Sequence, residues 1–137
     1  MLRAIPLLVL PALIYNLVAL TLPGGFGAAH ASDALAAPLF SIGMASGAVW
    51  PLSLGDVLLA AALVILFMEL LKGAGSRRDA LINHSLSTLL FVICLVEFLL
   101  LKAFATSVFF LISLMALLDV LAGFIVSIFG GRGGDAP

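Results

Sequence analysis

Charged residues are scarce in this chain: Lys and Arg number 6 and Asp and Glu number 7 among 137 residues, or 9% of the total. The formal net charge is −1, so no long-range field would attract nucleic acid or an anionic surface. Hydrophobic residues make up 64% of the chain, and the mean hydropathy is +1.35. A chain this short has too little interior to hide so many apolar side chains from water. The composition therefore predicts an integral membrane protein whose partner is the lipid bilayer, with no nucleic acid.

Cysteine is represented by Cys94 alone, which excludes an intramolecular disulfide and a zinc cluster within one chain. Cys94 lies inside an apolar run, so we expect it to be a small apolar filler. The sequence lacks a Ser/His/Asp set, a Gly-rich phosphate loop and a His/Cys metal spacing. Haem held by two histidines is disfavoured, because His84 lies in an apolar run while His30 falls on the opposite side. We therefore expect no enzymatic activity, no metal and no cofactor.

Four apolar runs are long enough to cross the hydrocarbon core, which takes about 20 helical residues. They extend over residues 4–22, 52–71, 80–101 and 106–129. Trp50 and Pro51 precede the second run, which suits a helix that starts at the membrane interface. The break between the third and fourth runs rests on length, since one helix of about fifty residues would overspan the bilayer. We expect an all-α bundle of four transmembrane helices in a single membrane domain, residues 1–137.

The outer loop, residues 23–51, is apolar enough in its second half to suggest a fifth span. Pro38, Gly43 and Gly47 argue against a spanning helix there, and so does the distribution of positive charge. With four spans, every basic residue except Lys102 falls on one side, which the positive-inside rule assigns to the cytoplasm. We therefore predict a short outer-surface helix or re-entrant segment over residues 34–49, a cytoplasmic loop at 72–79 and two cytoplasmic termini. The Ala- and Leu-rich style of the chain is that of a bacterial inner-membrane protein.

A secretory signal is an alternative interpretation of the first apolar run. Arg3 precedes the run, and Ala29-His30-Ala31 before Ser32 fits a small-x-small cleavage site. The run is long for a signal, whose apolar core usually has about 7–15 residues. Retention as a true first helix is favoured, and cleavage would leave three spans in the same orientation.

Polar and small side chains mark one face on each of the last two predicted spans. The face of the third span is spaced by four, seven and three residues, which keeps its members on one side of a helix: Asn83, Ser87, Cys94 and Glu97, with His84 at the edge. The face of the fourth span combines small residues with one carboxylate and would let another helix approach closely: Ala116, Asp119, Gly123 and Ser127. We expect the two faces to pack against each other or against a partner protein.

Asp119 is the deepest of the candidate residues, about 14 residues into the fourth span and some 20 Å deep at about 1.5 Å per residue. A carboxylate near the bilayer centre costs about 2.5–3.5 kcal/mol on the insertion scale. A structural role, hydrogen-bonded to a neighbouring helix, is slightly favoured over a proton or cation relay. The reason is that no basic partner or second acid is visible at mid-depth. Asn16 is the polar residue of the first span.

Depth suggests two further pairs of titratable residues. Glu97 and Asp56 fall near the outer face, where they could share a proton or cation. Solvation at the headgroups or pairing with Lys102 is the favoured interpretation of that pair. Glu69 and His84 fall near the cytoplasmic face, where a structural hydrogen bond is favoured over a proton-entry site.

Two classes of function remain open on the sequence. A structural or accessory membrane protein, packed with itself or with a larger complex, is favoured because the aqueous loops are too small to catalyse or bind much. The alternative is a small proton- or ion-coupled transporter or channel that acts as an oligomer. In that case Asp119 would be the central site, with Glu97 and His84 towards the two mouths.

Overall fold

The computed structural model describes residues 4–72 and 77–134 and is mostly helical, at 75%. Three helices in the described residues are long and apolar enough to cross a membrane: α3 (Leu54–Lys72), α4 (Arg77–Leu100) and α5 (Ser107–Gly134). The mean hydropathies of their most apolar stretches are 2.3, 1.8 and 2.5. The expectation of a mainly helical protein with long apolar helices is confirmed.

The helix bounds differ somewhat from the predicted spans. Helix α4 begins three residues before the predicted start at 80, and α5 extends five residues past the predicted end at 129. A turn of 3₁₀ helix, Lys102–Phe104, separates α4 from α5. Arg3 and residues 73–76, which belong to the positive-inside argument and the predicted cytoplasmic loop, lie outside the described residues, as do the side chains of Arg77 and Arg132.

A shorter apolar helix, α1, extends over Val9–Thr21. Its 13 residues span about 20 Å at about 1.5 Å per residue, against about 30 Å for the hydrocarbon core. Pro6 lies in the turn before it, where its carbonyl accepts a hydrogen bond from the Val9 N–H at 3.2 Å. One side of the segment is buried at helical spacing, at Leu8, Ala12, Tyr15 and Ala19.

The segment between α1 and α3 corrects the prediction of an all-α chain. Residues 34–49 were expected to form a short helix or a re-entrant segment, but most of them belong to an antiparallel β-hairpin. Its strands are β1 (Pro38–Gly43) and β2 (Val49–Ser53). A short helix, α2 (Ala31–Ala36), comes before the hairpin.

The physical reason for the hairpin is visible in its residues. Large apolar side chains recur at every second position, at Phe40, Ile42 and Met44, which is the period of a strand and not of a helix. The Met44 N–H donates to the Ala48 carbonyl at 2.8 Å and closes the loop. Gly47 has φ +89°, and this left-handed conformation is what a three-residue hairpin loop requires.

The core lies between the helices in two clusters. The larger one surrounds Tyr15, Phe104 and Phe109 and includes Cys94, which is 1% exposed. The smaller one joins α1, α3 and α5 through Leu8, Ala62, Leu66 and Met115. Gly55 lets the start of α3 approach its neighbours, because a Cβ there would lie 2.7 Å from Val108 Cγ2 and 3.2 Å from the Leu35 carbonyl oxygen. The packing thus draws α1 and α2 onto the three long helices.

Candidate functional site

Glu69 is the centre of a polar cluster at the C-terminal end of α3, where it is only 6% exposed. Its Oε2 accepts a hydrogen bond from the Leu7 backbone N–H at 2.9 Å and lies 3.2 Å from Lys72 Nζ. Its Oε1 accepts one from Asn83 Nδ2 at 3.1 Å. Lys72 Nζ also donates to the Ile5 carbonyl at 2.7 Å. We call these five residues the carboxylate cluster; it joins the start of α1 to α3 and α4.

The local sequence explains how this cluster forms. Glu69 and Lys72 are three residues apart on one helix, a spacing that brings side chains together. A cation near the end of α3 also interacts favourably with the partial negative charge of the last carbonyls. A buried carboxylate is tolerated when donors surround it, and here three donors do so. The cluster therefore stabilises the contacts of α3 with α4 and with the start of α1.

The depths of Glu69 and His84 predict that the two residues pair, but in the structure His84 does not bond Glu69. The neighbouring residue, Asn83, bonds it instead. His84 packs on Gly123 of α5, where an added Cβ would lie 2.9 Å from its Nδ1. The Nδ1 atom is buried and has no hydrogen-bond partner among the described residues. The one-residue offset turns the imidazole towards α5 and away from α3.

Asp119 lies in the interior of α5, 12 residues after Ser107 and therefore about 18 Å from the helix start. It is 7% exposed, and its Oδ2 accepts a hydrogen bond from Ser87 Oγ of α4 at 3.0 Å. The structure thus brings together the middle of the faces that the sequence marks on α4 and α5. Asn83 and Glu97, at the two ends of the α4 face, instead contact α3 and α1. On the α5 face, Ala116 is buried whereas Ser127 is exposed.

Glu97 and Asp56 are not brought together as a pair. Asn16 Nδ2 of α1 donates to Glu97 Oε1 at 3.4 Å, a long bond, and to the Ala12 carbonyl at 2.9 Å. Asp56 instead caps α3: its Oδ2 accepts from the Ser53 N–H, and its own N–H donates to Ser53 Oγ, both at 3.2 Å. This reciprocal pair is a capping box, which the spacing of a Ser and an acid three residues later indicates.

Tyr15 makes a buried polar contact that the sequence pattern does not predict. Its hydroxyl donates to the Ala103 carbonyl at 2.8 Å and lies 2.6 Å from Thr106 Oγ1. Thr106 Oγ1 also accepts from the Phe109 N–H at 3.1 Å and so caps the start of α5. Since the tyrosine proton is directed to Ala103, the threonine hydroxyl donates to Tyr15.

Aromatic rings surround that contact. Phe104 and Phe109 meet edge to face with centroids 4.7 Å apart, and the Tyr15 ring lies 4.7 Å from Phe109 and 5.2 Å from Phe104. Such tilted and edge-to-face pairs are favourable beyond the area they bury. We call Tyr15, Ala103, Phe104, Thr106 and Phe109 the hydroxyl cluster; it fastens the middle of α1 to the connection between α4 and α5.

A cavity of about 260 Å³ lies beside the starts of α3 and α5, against α2. Its polar lining includes Ser32, Ser53, Asp56, Thr106 and Ser107. Ser53 and Asp56 already bond each other, and Thr106 bonds Tyr15 and the start of α5. Helix capping therefore occupies most of the polar groups that a ligand in this cavity would need.

Metal chemistry has no candidate site in residues 4–72 and 77–134, where no group of three His, Cys, Asp or Glu side chains is arranged to hold an ion. No known family model, curated protein or solved structure matches the chain. Glu69, Glu97 and Asp119 each accept a hydrogen bond from a neighbouring helix or from the turn before it.

Proposed function

We propose that this protein is a four-span integral membrane protein with a structural or accessory role, packed with itself or with a larger membrane complex. The observation that supports it is the use of the polar groups between helices. Glu69 joins α1, α3 and α4, Asp119 joins α4 and α5, and Glu97 joins α1 and α4. Polar contacts of this kind fix the register of helices in a solvent that offers no other partners.

Helix α1 serves as the fourth span in this proposal, and residues 1–31 are retained. Its start lies beside the end of α3, through Leu7 and Glu69, so the two helices run in opposite directions. Its buried face contributes Tyr15 to the hydroxyl cluster. Loss of α1 would expose the rings of Phe104 and Phe109 and leave Glu69 short of a donor. The helix itself is short, but the apolar segment is longer, because a turn at Pro6 precedes the helix and Leu22 follows it in an extended conformation.

The proposed orientation follows from the basic residues. The start of α1, the end of α3 and the start of α4 meet at the carboxylate cluster, so Lys72 and Arg78 lie at that end. Lys102 lies at the other end, in the turn between α4 and α5. By the positive-inside rule we propose that the carboxylate cluster and both termini face the cytoplasm, that the membrane is a bacterial inner membrane, and that the hairpin lies outside.

Native mass spectrometry of the protein, purified gently from its own membranes, tests the accessory role. We expect a complex of defined composition, either a homo-oligomer of fixed number or an assembly with other membrane proteins. Asp119→Leu removes the buried contact with Ser87 and should reduce the amount of that complex. Ser127→Ala, a change on the exposed part of the α5 face, is the matched control and should leave the complex unchanged. A monodisperse monomer without a partner in lipid would contradict the proposal.

A second candidate function, a proton- or cation-coupled transporter, is favoured by one specific observation. Asp119 is deeply buried in α5 with Ser87 as its hydrogen-bond donor, and the buried His84 Nδ1 nearby has no partner in the described part of the chain. The donors of the two carboxylates are one helical turn apart on α4, since Asn83 donates to Glu69 and Ser87 donates to Asp119. These groups could carry a proton or cation between the middle of α5 and the carboxylate cluster.

Flux in proteoliposomes separates the two candidates. Asp119→Asn keeps an oxygen that can accept the Ser87 hydrogen bond but removes the titratable group. A relay requires wild-type flux that this variant abolishes while assembly survives. A structural role predicts intact assembly and the same flux in both proteins. Ser87→Ala is the control, because it removes the hydrogen bond and leaves the carboxyl group in place.

A further inference from the structure

The β-hairpin projects from the helical bundle. All residues from 36 to 51 are exposed, and the main contacts of the two strands are with each other and with the start of α3. A two-stranded hairpin is marginally stable on its own in water and normally needs its apolar face covered. Nothing in residues 4–72 and 77–134 covers the apolar face of this one, so we expect another surface to do so.

The two faces of the hairpin are unequal. Ile42 pairs with Trp50 and Phe40 with Leu52, and directly opposed residues of an antiparallel pair project from the same side. Together with Met44, two residues from Ile42, they form what we call the broad apolar face. Four of these five side chains are 40–53% exposed. The other face carries smaller groups, from Ser41, Gly43, Val49 and Pro51. Leu39 is also exposed, and it lies at the irregularity in the register between Pro38 and Phe40.

Charge and edge chemistry limit what could cover the broad apolar face. The chain has no charged residue between Asp33 and Asp56, whereas strands that face water commonly carry charges along their edges. Pairing with another strand is hindered too, because Pro38 and Pro51 have no N–H to donate from an edge. Pro51 interrupts the edge of β2, whereas Pro38 affects only the first position of β1. The broad apolar face is the larger surface for a contact.

The position of the hairpin relative to a membrane follows from its connection to α3. Strand β2 ends at Ser53 and α3 begins at Leu54, with no loop between them. The capping box of Ser53 and Asp56 fixes that junction. In the four-span arrangement, on which this inference rests, α3 enters the hydrocarbon at this point. The hairpin is thereby held at the membrane surface.

We propose that the broad apolar face binds the outer surface of the lipid bilayer, at the boundary between headgroups and acyl chains. Trp50 favours that boundary, and the remaining large side chains of the face are apolar. The unpaired backbone groups along the hairpin edges need water, which excludes a deeper position. An aqueous position is excluded because it would leave a contiguous apolar surface in water. The hairpin is thus a surface anchor beside α3.

Trp50 is the single tryptophan of the chain and reports on this contact directly. The experiment compares its fluorescence in phosphatidylcholine nanodiscs made with lipids brominated near the glycerol end or near the methyl end of the acyl chain. We expect blue-shifted emission, protection from acrylamide, and stronger quenching by bromine near the glycerol end.

Three results would overturn the proposal. Emission typical of indole in water, open to acrylamide, would place the hairpin in solvent. Protection from acrylamide without quenching by either lipid would mean that a second copy or another protein covers the face. Stronger quenching by bromine near the methyl end would indicate a re-entrant segment. Failure of the membrane placement itself has a separate signature, since a protein without spanning helices would not float with vesicles, and that result would remove the anchor as well. Loss of α1 alone would leave three spans that still float, and the intact mass would reveal it.

Matched variants on the two faces sharpen the test. Phe40→Ser with Ile42→Ser removes two of the five large side chains, so quenching by the shallow bromine should fall roughly twofold. Ser41→Ala lies on the other face and should leave the quenching unchanged. Cys94 is 1% exposed, and its resistance to thiol reagents verifies that each variant is folded. Equal quenching in the two variants would contradict the assignment of the face.

Discussion

Helix α1 is fastened to the bundle at two places that use different chemistry. At its start, the carboxylate cluster uses a buried charge, with Glu69 held by Lys72, Asn83 and a backbone N–H. At its middle, the hydroxyl cluster uses neutral groups, with the Tyr15 hydroxyl placed among phenylalanine rings. A neutral hydroxyl needs fewer partners than a carboxylate when it is removed from water. The charged contact lies where α3 ends, and the neutral one lies inside the core.

If α1 is the proposed fourth span, the two clusters explain how so short a helix could be held in a bilayer. Apolar burial drives little association between helices in lipid, because acyl chains are as apolar as leucine. Specific contacts must then decide where α1 lies. Its outer side, with Leu13 and Leu17 about half exposed, is suited to lipid, while the two clusters fix its position on the other side.

The largest effect is expected from breaking the carboxylate cluster. Glu69→Leu leaves Lys72, Asn83 and the Leu7 N–H without their shared acceptor. Because Lys72 is partly exposed, the cost should lie at or below the lower end of the range for a buried ion pair, at about 2–3 kcal/mol. Thermal unfolding in detergent, followed by the reaction of Cys94 with a fluorogenic thiol dye, measures the loss. Glu69→Gln keeps one acceptor oxygen and should fall between the wild type and Glu69→Leu. If Glu69→Leu is as stable as the wild type, the carboxylate cluster does not hold α1 in place.

A smaller effect is expected in the hydroxyl cluster. Tyr15→Phe keeps the ring contacts but leaves the Ala103 carbonyl and the Thr106 hydroxyl short of a buried partner, at a cost of about 1–2 kcal/mol. The same thiol-dye unfolding assay reports it. Thr106→Ser retains a hydroxyl and serves as the matched control. If Tyr15→Phe unfolds together with the wild type, the rings alone hold this part of α1.

The smallest effect is expected at the contact between α1 and α4. The Asn16–Glu97 bond is 3.4 Å long and only partly buried, so Asn16→Leu should change the free energy of unfolding by less than about 0.5 kcal/mol. Asn16→Asp, which places a second carboxylate beside Glu97, is the contrasting variant and should be clearly less stable. A loss in Asn16→Leu as large as that of Tyr15→Phe would make Glu97 a third fastening point.

The sequence predicts those features of this fold that are local. Apolar runs of sufficient length indicate α3, α4 and α5. The alternation at Phe40, Ile42 and Met44, with Gly47 in the loop, indicates a β-hairpin. Pro38, Gly43 and Gly47 by themselves indicate only that no helix spans this segment. Ser53 and Asp56 likewise have the spacing of a capping box, although depth had suggested pairing Asp56 with Glu97.

The sequence does not predict the contacts that depend on how the helices are rotated. Asn83 and His84 are adjacent, so a rotation of about 100° decides which of them meets Glu69. Tyr15 finds a backbone carbonyl at Ala103, an acceptor that every residue possesses and that has no signal in the sequence. Asp119 and Ser87 lie on faces that were recognised, but their pairing depends on the relative height of α4 and α5.

The central claim is that α1 is a retained fourth span, held by both clusters. Intact-mass spectrometry of the protein isolated from its own membranes tests this most directly, since a cleaved signal would remove α1 whole. The expected mass includes the residues of α1 and of the turn before it. A folded protein that begins near Ser32, with Cys94 still protected from thiol reagents, would contradict the claim and leave a bundle of three spans.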